Sequence, residues 1–218
     1  MKIINFSESN SLVNQFVAEM RDVNIQKDRM RFKKNIERIG QVMAYEISKV
    51  LDYSEKEVIT PLATAKANTH DDQIVLATIL RAGLPFIEGF QDMFDQAENA
   101  FISARRIYNE EKKDIDIKVE YMASPSIEGK TLIMVDPMLA TGESMEAALK
   151  AVRGIGQPRK LFLACIIASK QGVEYLERMF PNDDVTLMCA TIDPSLNQYK
   201  YIVPGLGDAG DLALGEKL

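Results

Sequence analysis

The sequence predicts an α/β protein with a central parallel sheet flanked by helices, and two observations carry that prediction. Apolar runs such as "QIVLATIL", "TLIMV" and "KLFLACIIAS" are short, rich in Val, Ile and Leu, and bounded by polar or turn-forming residues. Runs of this kind suit strands buried on both faces. Between them lie stretches with apolar residues at helical spacing, such as Met145, Ala148, Leu149 and Val152 at i, i+3, i+4 and i+7. Strands alternating with helices build parallel sheets, because a parallel neighbour is reached only through a long crossover.

In chain order, "SLVNQFVAEMRD" and "DRMRFKKNIERIGQVMAYEISKVLD" read as helices. Phe32, Ile36, Ile39, Val42, Met43 and Ile47 give the second a packing stripe. An irregular segment containing Pro61 follows. "QIVLATIL" is then a strand, "RAGL" a turn and "PFIEGFQDMF" a short helix, with Pro85 tolerated in its first turn. "NAFISA" is the next strand, and "RRIYNEEKKDIDIKVEYMA" reads as a charged, exposed excursion with the look of a β-arm. The strand "TLIMV", a loop and a helix from Ser144 come next, then "KLFLACIIAS", the helix "QGVEYLERMF" and the strand "DVTLMCATID". No repeat or low-complexity linker interrupts this order, so residues 1–218 are expected to form one domain.

Composition narrows the function. A chain of 218 residues that is 46% hydrophobic and 27% charged suits a soluble globular protein. No apolar run reaches the roughly 20 residues of a membrane span, and "MKIINFSESN" lacks a signal-peptide core, so a cytoplasmic protein is expected. A net charge of −6 argues against a nucleic-acid partner. Cys165 and Cys189 sit in apolar runs and read as small buried hydrophobes. The single histidine, His70, cannot build a histidine metal site.

The loop after "TLIMV" carries the chemistry. Pro137 and Gly142 keep it from being a strand or a helix, and loops at the carboxyl ends of parallel strands are where open α/β sheets bind ligands. Ala140, Thr141, Gly142, Glu143 and Ser144 offer successive backbone N–H groups, two hydroxyls and a helix N-terminus, a set that suits a phosphate dianion. Asp136 would repel a phosphate but accepts hydrogen bonds from hydroxyls. A ribose phosphate meets both demands. The Walker loop is excluded by the missing Gly-Lys-Ser/Thr, and the dinucleotide fingerprint by the missing G-x-G-x-x-G.

"VDPMLATGES" resembles the ribose-phosphate motif of the type I phosphoribosyltransferases, in its uracil phosphoribosyltransferase form, where Asp136-Pro137 replaces the usual pair of acids. "ILRAGL" resembles the family's pyrophosphate loop and "YIVPGLGDAGD" its uracil-binding segment, while "KDRMRF…MAYEIS" resembles its opening helices. The resemblance implies the type I phosphoribosyltransferase fold, with the N-terminal helices and the C-terminal segment forming a hood over the base site. It implies transfer of ribose 5-phosphate from 5-phosphoribosyl 1-diphosphate to uracil, giving UMP and diphosphate.

Residue roles follow from the resemblance. The ribosyl diphosphate would contact Arg81, Arg106 and Asp208 together with Asp136, Pro137, Met138, Leu139, Ala140, Thr141, Gly142, Glu143 and Ser144. Uracil would meet Ile202, Gly207, Asp208 and Ala209, largely through main-chain groups. Arg81, Arg106, Asp136 and Asp208 are the catalytic candidates. Counting without gaps from Arg81 lands on Arg106, with Arg105 as the alternative. Mg²⁺ is implied as a cofactor carried by the diphosphate rather than by a protein cage. Whether Asp208 also removes the N1 proton stays open. A homo-oligomer is expected, with the charged excursion 105–123 as a surface that could pack against a partner, and activation by GTP stays open.

Two departures stand out. Glu143 occupies a position where many relatives have glycine, so it either points outward or weakens substrate affinity. The chain also ends "LALGEKL", where relatives often carry an aromatic residue and a terminal Gly-Thr. Competing readings are a transferase for another base, a degenerate subunit, and a regulatory protein that binds pyrimidine nucleotides on the same fold.

Overall fold

The computed structural model describes residues 1–109, 114–181 and 184–217. Strand β1 (Lys2–Asn5) opens the chain, followed by helices α1 (Leu12–Arg21) and α2 (Arg29–Ser48). A hairpin, β2 (Tyr53–Ile59) and β3 (Thr64–His70), precedes β4 (Ile74–Leu80) and α3 (Leu84–Gln91). Then come β5 (Glu98–Asn109), β6 (Asp114–Ala123), β7 (Thr131–Val135), β8 (Met138–Leu139) and α4 (Glu143–Arg153). The chain closes with β9 (Lys160–Ser169), α5 (Lys170–Met179), β10 (Val185–Asp193), β11 (Ser195–Leu196), β12 (Ile202–Val203) and α6 (Ala209–Leu214).

Among the described residues the main sheet has eight strands in the order β1-β10-β9-β7-β4-β5-β6, with β8 paired to β9. All neighbours are parallel except β5 and β6. The predicted central parallel sheet is therefore present. Its two faces are both covered, as apolar strands require. Along β4, Ile74 and Leu76 pack in one core with residues of α1, α2 and α3, while Val75, Ala77 and Ile79 pack in the other with residues of α4 and α5. Helix α6 joins the first core through Ala209 and Ala213. Among the described residues no helix is long and apolar enough to cross a membrane.

Three features differ from the sequence reading. The N-terminal part is not wholly helical, since β1 pairs with β10 at the sheet edge. The segment around Pro61 is a regular antiparallel hairpin, closed by Thr60 N–H donating to the Ala63 carbonyl at 2.9 Å. Pro61 sits in the first central position of that turn, where its fixed φ suits the bend. Within the loop expected to lack strand structure, Met138 and Leu139 pair with Ile167 and Ala168. Pro137 makes this possible, because its carbonyl accepts from the N–H groups of Ile166 and Ile167, both at 3.0 Å, and re-aims the chain along β9. The charged excursion is the β5–β6 pair, antiparallel with a register shift between Ser103 and Ala104.

Candidate active site

A cavity of about 420 Å³ lies outside the carboxyl ends of β4 and β7. The turn after β4, the loop after β7, the β11–β12 hairpin and the first turn of α6 wall it in. It brings together Arg81, Asp136, Met138, Ala140, Ser144, Ile202, Gly207, Asp208 and Ala209, nine positions from three stretches far apart in sequence. That is the crevice where open α/β sheets hold ligands.

The loop after β7 is anchored from below. Ser169 caps α5, accepting from Gly172 N–H at 2.9 Å, and its own hydroxyl donates to the Ala140 carbonyl at 2.5 Å. With that carbonyl turned toward α5, the following residues enter α4 with their N–H groups free of strand pairing. Gly142 has φ +87°, and an added Cβ would lie 2.7 Å from the Tyr175 ring, so both backbone and space demand glycine. Tyr175 is itself fixed by donating to Glu146 at 2.5 Å, which pushes its hydroxyl up to about 12. The open N-terminus of α4, without a side-chain cap, is suited to an anion.

Asp136 stands where β7 ends. Its N–H donates to the Ala164 carbonyl at 3.1 Å, and its carboxylate accepts from Met138 N–H at 3.3 Å. Burial raises its pKa to about 7, and the single bond from Met138 only partly offsets that. An acid with so few donors is short of hydrogen bonds, and two vicinal hydroxyls would supply them.

Arg81 leaves β4 across a cis Leu80–Arg81 peptide. Its guanidinium donates to the Asp211 carboxylate at 3.2 Å and the Gly215 carbonyl at 3.4 Å, tying the turn after β4 to α6. Asp208 caps α6 by accepting from Asp211 N–H at 3.0 Å.

The segment from Ile202 to Leu206 is held from the N-terminal side. Asp193 accepts from Gly205 N–H at 2.8 Å and pairs with Arg21, whose guanidinium also donates to the Gly205 carbonyl at 3.2 Å. Gln26 reaches the Leu206 carbonyl at 3.3 Å. Gly205 has φ +60°, and a Cβ there would lie 2.1 Å from the Ile202 carbonyl oxygen. The N-terminal helices thus clamp the C-terminal segment.

Other predicted residues sit apart from the cavity lining. Leu139 is buried in the core beside α4, and Pro137 spends its carbonyl on β9. Thr141 and Glu143 face each other, the Thr141 hydroxyl donating to the Glu143 carboxylate at 2.9 Å. The backbone of Arg105 and Arg106 runs in β5, and their side chains lie outside the described residues. Lys200, Tyr199, Tyr201, Asp211, Ala104 and Lys217 also line the cavity, beyond the residues to which the sequence motifs point. Asp211 lies inside the quoted "YIVPGLGDAGD", and "YK" directly precedes it, so the signal was adjacency to a recognised segment.

The uracil phosphoribosyltransferase family profile matches residues 7–215. The chain is 55% identical over 218 residues to the uracil phosphoribosyltransferase of Porphyromonas gingivalis, covering 100% of both. The chain belongs to the uracil phosphoribosyltransferase family. The family's uracil phosphoribosyltransferase from Thermococcus gammatolerans is 34% identical over 214 residues, covering 97% of this chain and 92% of that one. Among solved structures, the AQ2163 protein from Aquifex aeolicus superposes with a TM-score of 0.86 at 31% identity, covering 98% of both chains. A hypoxanthine-guanine phosphoribosyltransferase from Bacillus anthracis reaches 0.50 at 14% identity, covering 76% of this chain and 80% of that one. That second likeness extends the shared fold beyond uracil phosphoribosyltransferases and says nothing of the base. The Porphyromonas and Thermococcus relatives carry the name of an enzyme and give the regulatory alternative no support.

Proposed function

We propose that the chain transfers ribose 5-phosphate from 5-phosphoribosyl 1-diphosphate to uracil, releasing diphosphate and UMP. The observation that carries this reading is one cavity joining an anion-ready helix N-terminus, a buried acid short of donors and a clamped loop of small residues. The 5-phosphate takes the N-terminus of α4, with Ala140 to Ser144 around it. Asp136 accepts from the ribose hydroxyls. Arg81 faces the diphosphate, and Arg106 is its proposed second cation. Ile202, Gly207 and Ala209 offer main-chain groups to uracil, whose donor and acceptor order differs from that of cytosine. Groups fixed this way leave a mismatched base with unpaired partners, which discriminates strongly.

In the reaction, the bond from ribose C1 to the diphosphate oxygen breaks and its electron pair leaves with diphosphate. The bond from uracil N1 to C1 forms, and the N1 proton passes to Asp208 or to water. Positive character gathers at C1 and negative charge on the leaving group. The protein's work is to position the reactants and to offset that charge. Asp208 and Asp211 present hard oxygen donors at the cavity wall, which fit Mg²⁺ held mainly by phosphate oxygens and water. Bound there, the ion would neutralise the leaving diphosphate. A homo-oligomer accords with the exposed apolar tip of the β2–β3 hairpin, where Ile59 and Leu62 are 89% and 98% exposed. GTP activation rests on the family resemblance alone.

The test is turnover of purified protein with Mg²⁺, 5-phosphoribosyl 1-diphosphate and one base per reaction. UMP from uracil, with no nucleotide from cytosine or hypoxanthine, is the expected result. Nucleotide formed from hypoxanthine in preference to uracil would overturn the assignment.

A further inference from the structure

Among the described residues, Lys200 is the one residue other than glycine with a positive φ, at 64°. An L side chain is disfavoured there, so the surrounding turn must hold it. Lys200 N–H donates to the Asn197 carbonyl and Asn197 N–H to the Tyr201 carbonyl, each at 2.9 Å. The Asn197 side-chain oxygen accepts from the N–H groups of Tyr199 and Tyr201, at 2.9 and 3.0 Å. This turn aims Lys200 across the cavity at the loop after β7, with its ammonium 3.7 Å from the Glu143 carboxylate. The same Glu143 oxygen accepts from the Thr141 hydroxyl.

Glu143 therefore occupies a donor that an arriving phosphate needs, and places a negative charge beside it. Resting on the reading of this loop as the 5-phosphate site, we propose that Glu143 is a placeholder for the phosphate and that Lys200 is the positioning residue that draws it aside. When the dianion arrives, the Thr141 hydroxyl turns from Glu143 to the phosphate. The Glu143 carboxylate closes onto the Lys200 ammonium, so its charge is neutralised at the moment it would otherwise repel the ligand. Lys200 acts through Glu143 and is not a catalytic residue. The pair gives this chain a phosphate site whose affinity is tuned by two side chains that do not themselves bind the phosphate.

The experiment is a double-mutant cycle read by calorimetric binding of ribose 5-phosphate and by the KM for 5-phosphoribosyl 1-diphosphate. Lys200→Gln is expected to weaken both by about 2- to 5-fold, the upper part of the range of one partly exposed ion pair. Glu143→Gln is expected to tighten them. In the Glu143→Gln background, Lys200→Gln should change either value by less than about twofold, since no charge remains to be drawn aside. Lys200→Gly separates charge from folding: it relieves the left-handed backbone and raises the melting temperature, yet shows the same loss as Lys200→Gln. An equal loss with and without Glu143, or no loss in the native background, would overturn the proposal. If the native protein binds ribose 5-phosphate but makes no UMP, the catalytic reading fails while the cycle still decides the pair. If it does not bind ribose 5-phosphate, both fall together.

Discussion

Asp193 and Arg21 meet end to end, at 2.6 and 3.0 Å, and the two together grip the backbone of Gly205 by its N–H and its carbonyl. Asp193 is 4% exposed at the end of β10, and Arg21 ends α1, so the base segment is fixed by both a sheet strand and the N-terminal helices. The pair holds main-chain groups in place without touching the cavity. Asp193→Asn keeps an acceptor for Gly205 N–H but loses the charge that orders Arg21. The expected outcome is a rise of roughly tenfold in KM for uracil, larger than the change in KM for 5-phosphoribosyl 1-diphosphate. Steady-state kinetics with each substrate varied in turn checks this. A loss shared equally by both substrates would show a general unfolding instead.

Asp136 links function to a stability cost. Its pKa is raised from 3.8 to about 7 by burial, so the folded protein holds this proton more tightly than the unfolded chain. The sign is opposite to that of a salt-bridged acid: stability falls as pH rises through that window and stays reduced above it. Asp136→Asn should therefore stabilise the ligand-free protein at pH 8 by on the order of 2 kcal/mol, while activity falls by at least about 100-fold. Denaturant unfolding at pH 5 and pH 8 measures the first, and the stabilisation should shrink at the lower pH.

The same acid predicts a pH profile. Ribose hydroxyls need the carboxylate form, so KM for 5-phosphoribosyl 1-diphosphate should rise as pH falls below about 7. Initial rates across pH 5.5 to 8.5, roughly the range that spans this titration, would show the rise. A flat KM would mean that Asp136 does not hold the ribose.

Asp208 both caps α6 and faces the cavity, and two substitutions separate these roles. Asparagine caps a helix about as well as aspartate, whereas alanine costs about 1 kcal/mol. Asp208→Asn should keep the melting temperature and lose at least about 100-fold in kcat, and Asp208→Ala should lose both. Turnover retained by Asp208→Asn at neutral and alkaline pH would confine the residue to capping.

Gly142→Ala forces a side chain into the left-handed region against Tyr175. The expected cost is about 1–2 kcal/mol of stability, with a raised KM for 5-phosphoribosyl 1-diphosphate as the loop shifts. Thermal melts and kinetics on the same preparation check it.

The strands and helices that build the sheet were legible because their burial leaves an apolar signature. "TLIMV" and "KLFLACIIAS" are buried along almost their whole length. The β2–β3 hairpin was not legible, since most of its residues are exposed and no apolar alternation is sustained along either strand. Strand β1 was hidden for another reason: at four residues it is too short for a periodic pattern, and its place depends on β10 alone. In the site, Arg81, Asp136 and Asp208 could be singled out because each sits in a recognisable loop, and the fold gathers them around one cavity. Lys200, Arg21 and Asp193 could not, because each acts through a contact between segments distant in sequence.

The measurement that tests the account most directly is a crystal structure of the protein with UMP bound. The phosphate is expected at the N-terminus of α4 among residues 140–144, the ribose hydroxyls on Asp136, and the uracil edge against the main chain of Ile202, Gly207 and Ala209. A nucleotide with its phosphate elsewhere, or with its base turned away from the clamped segment, would contradict it.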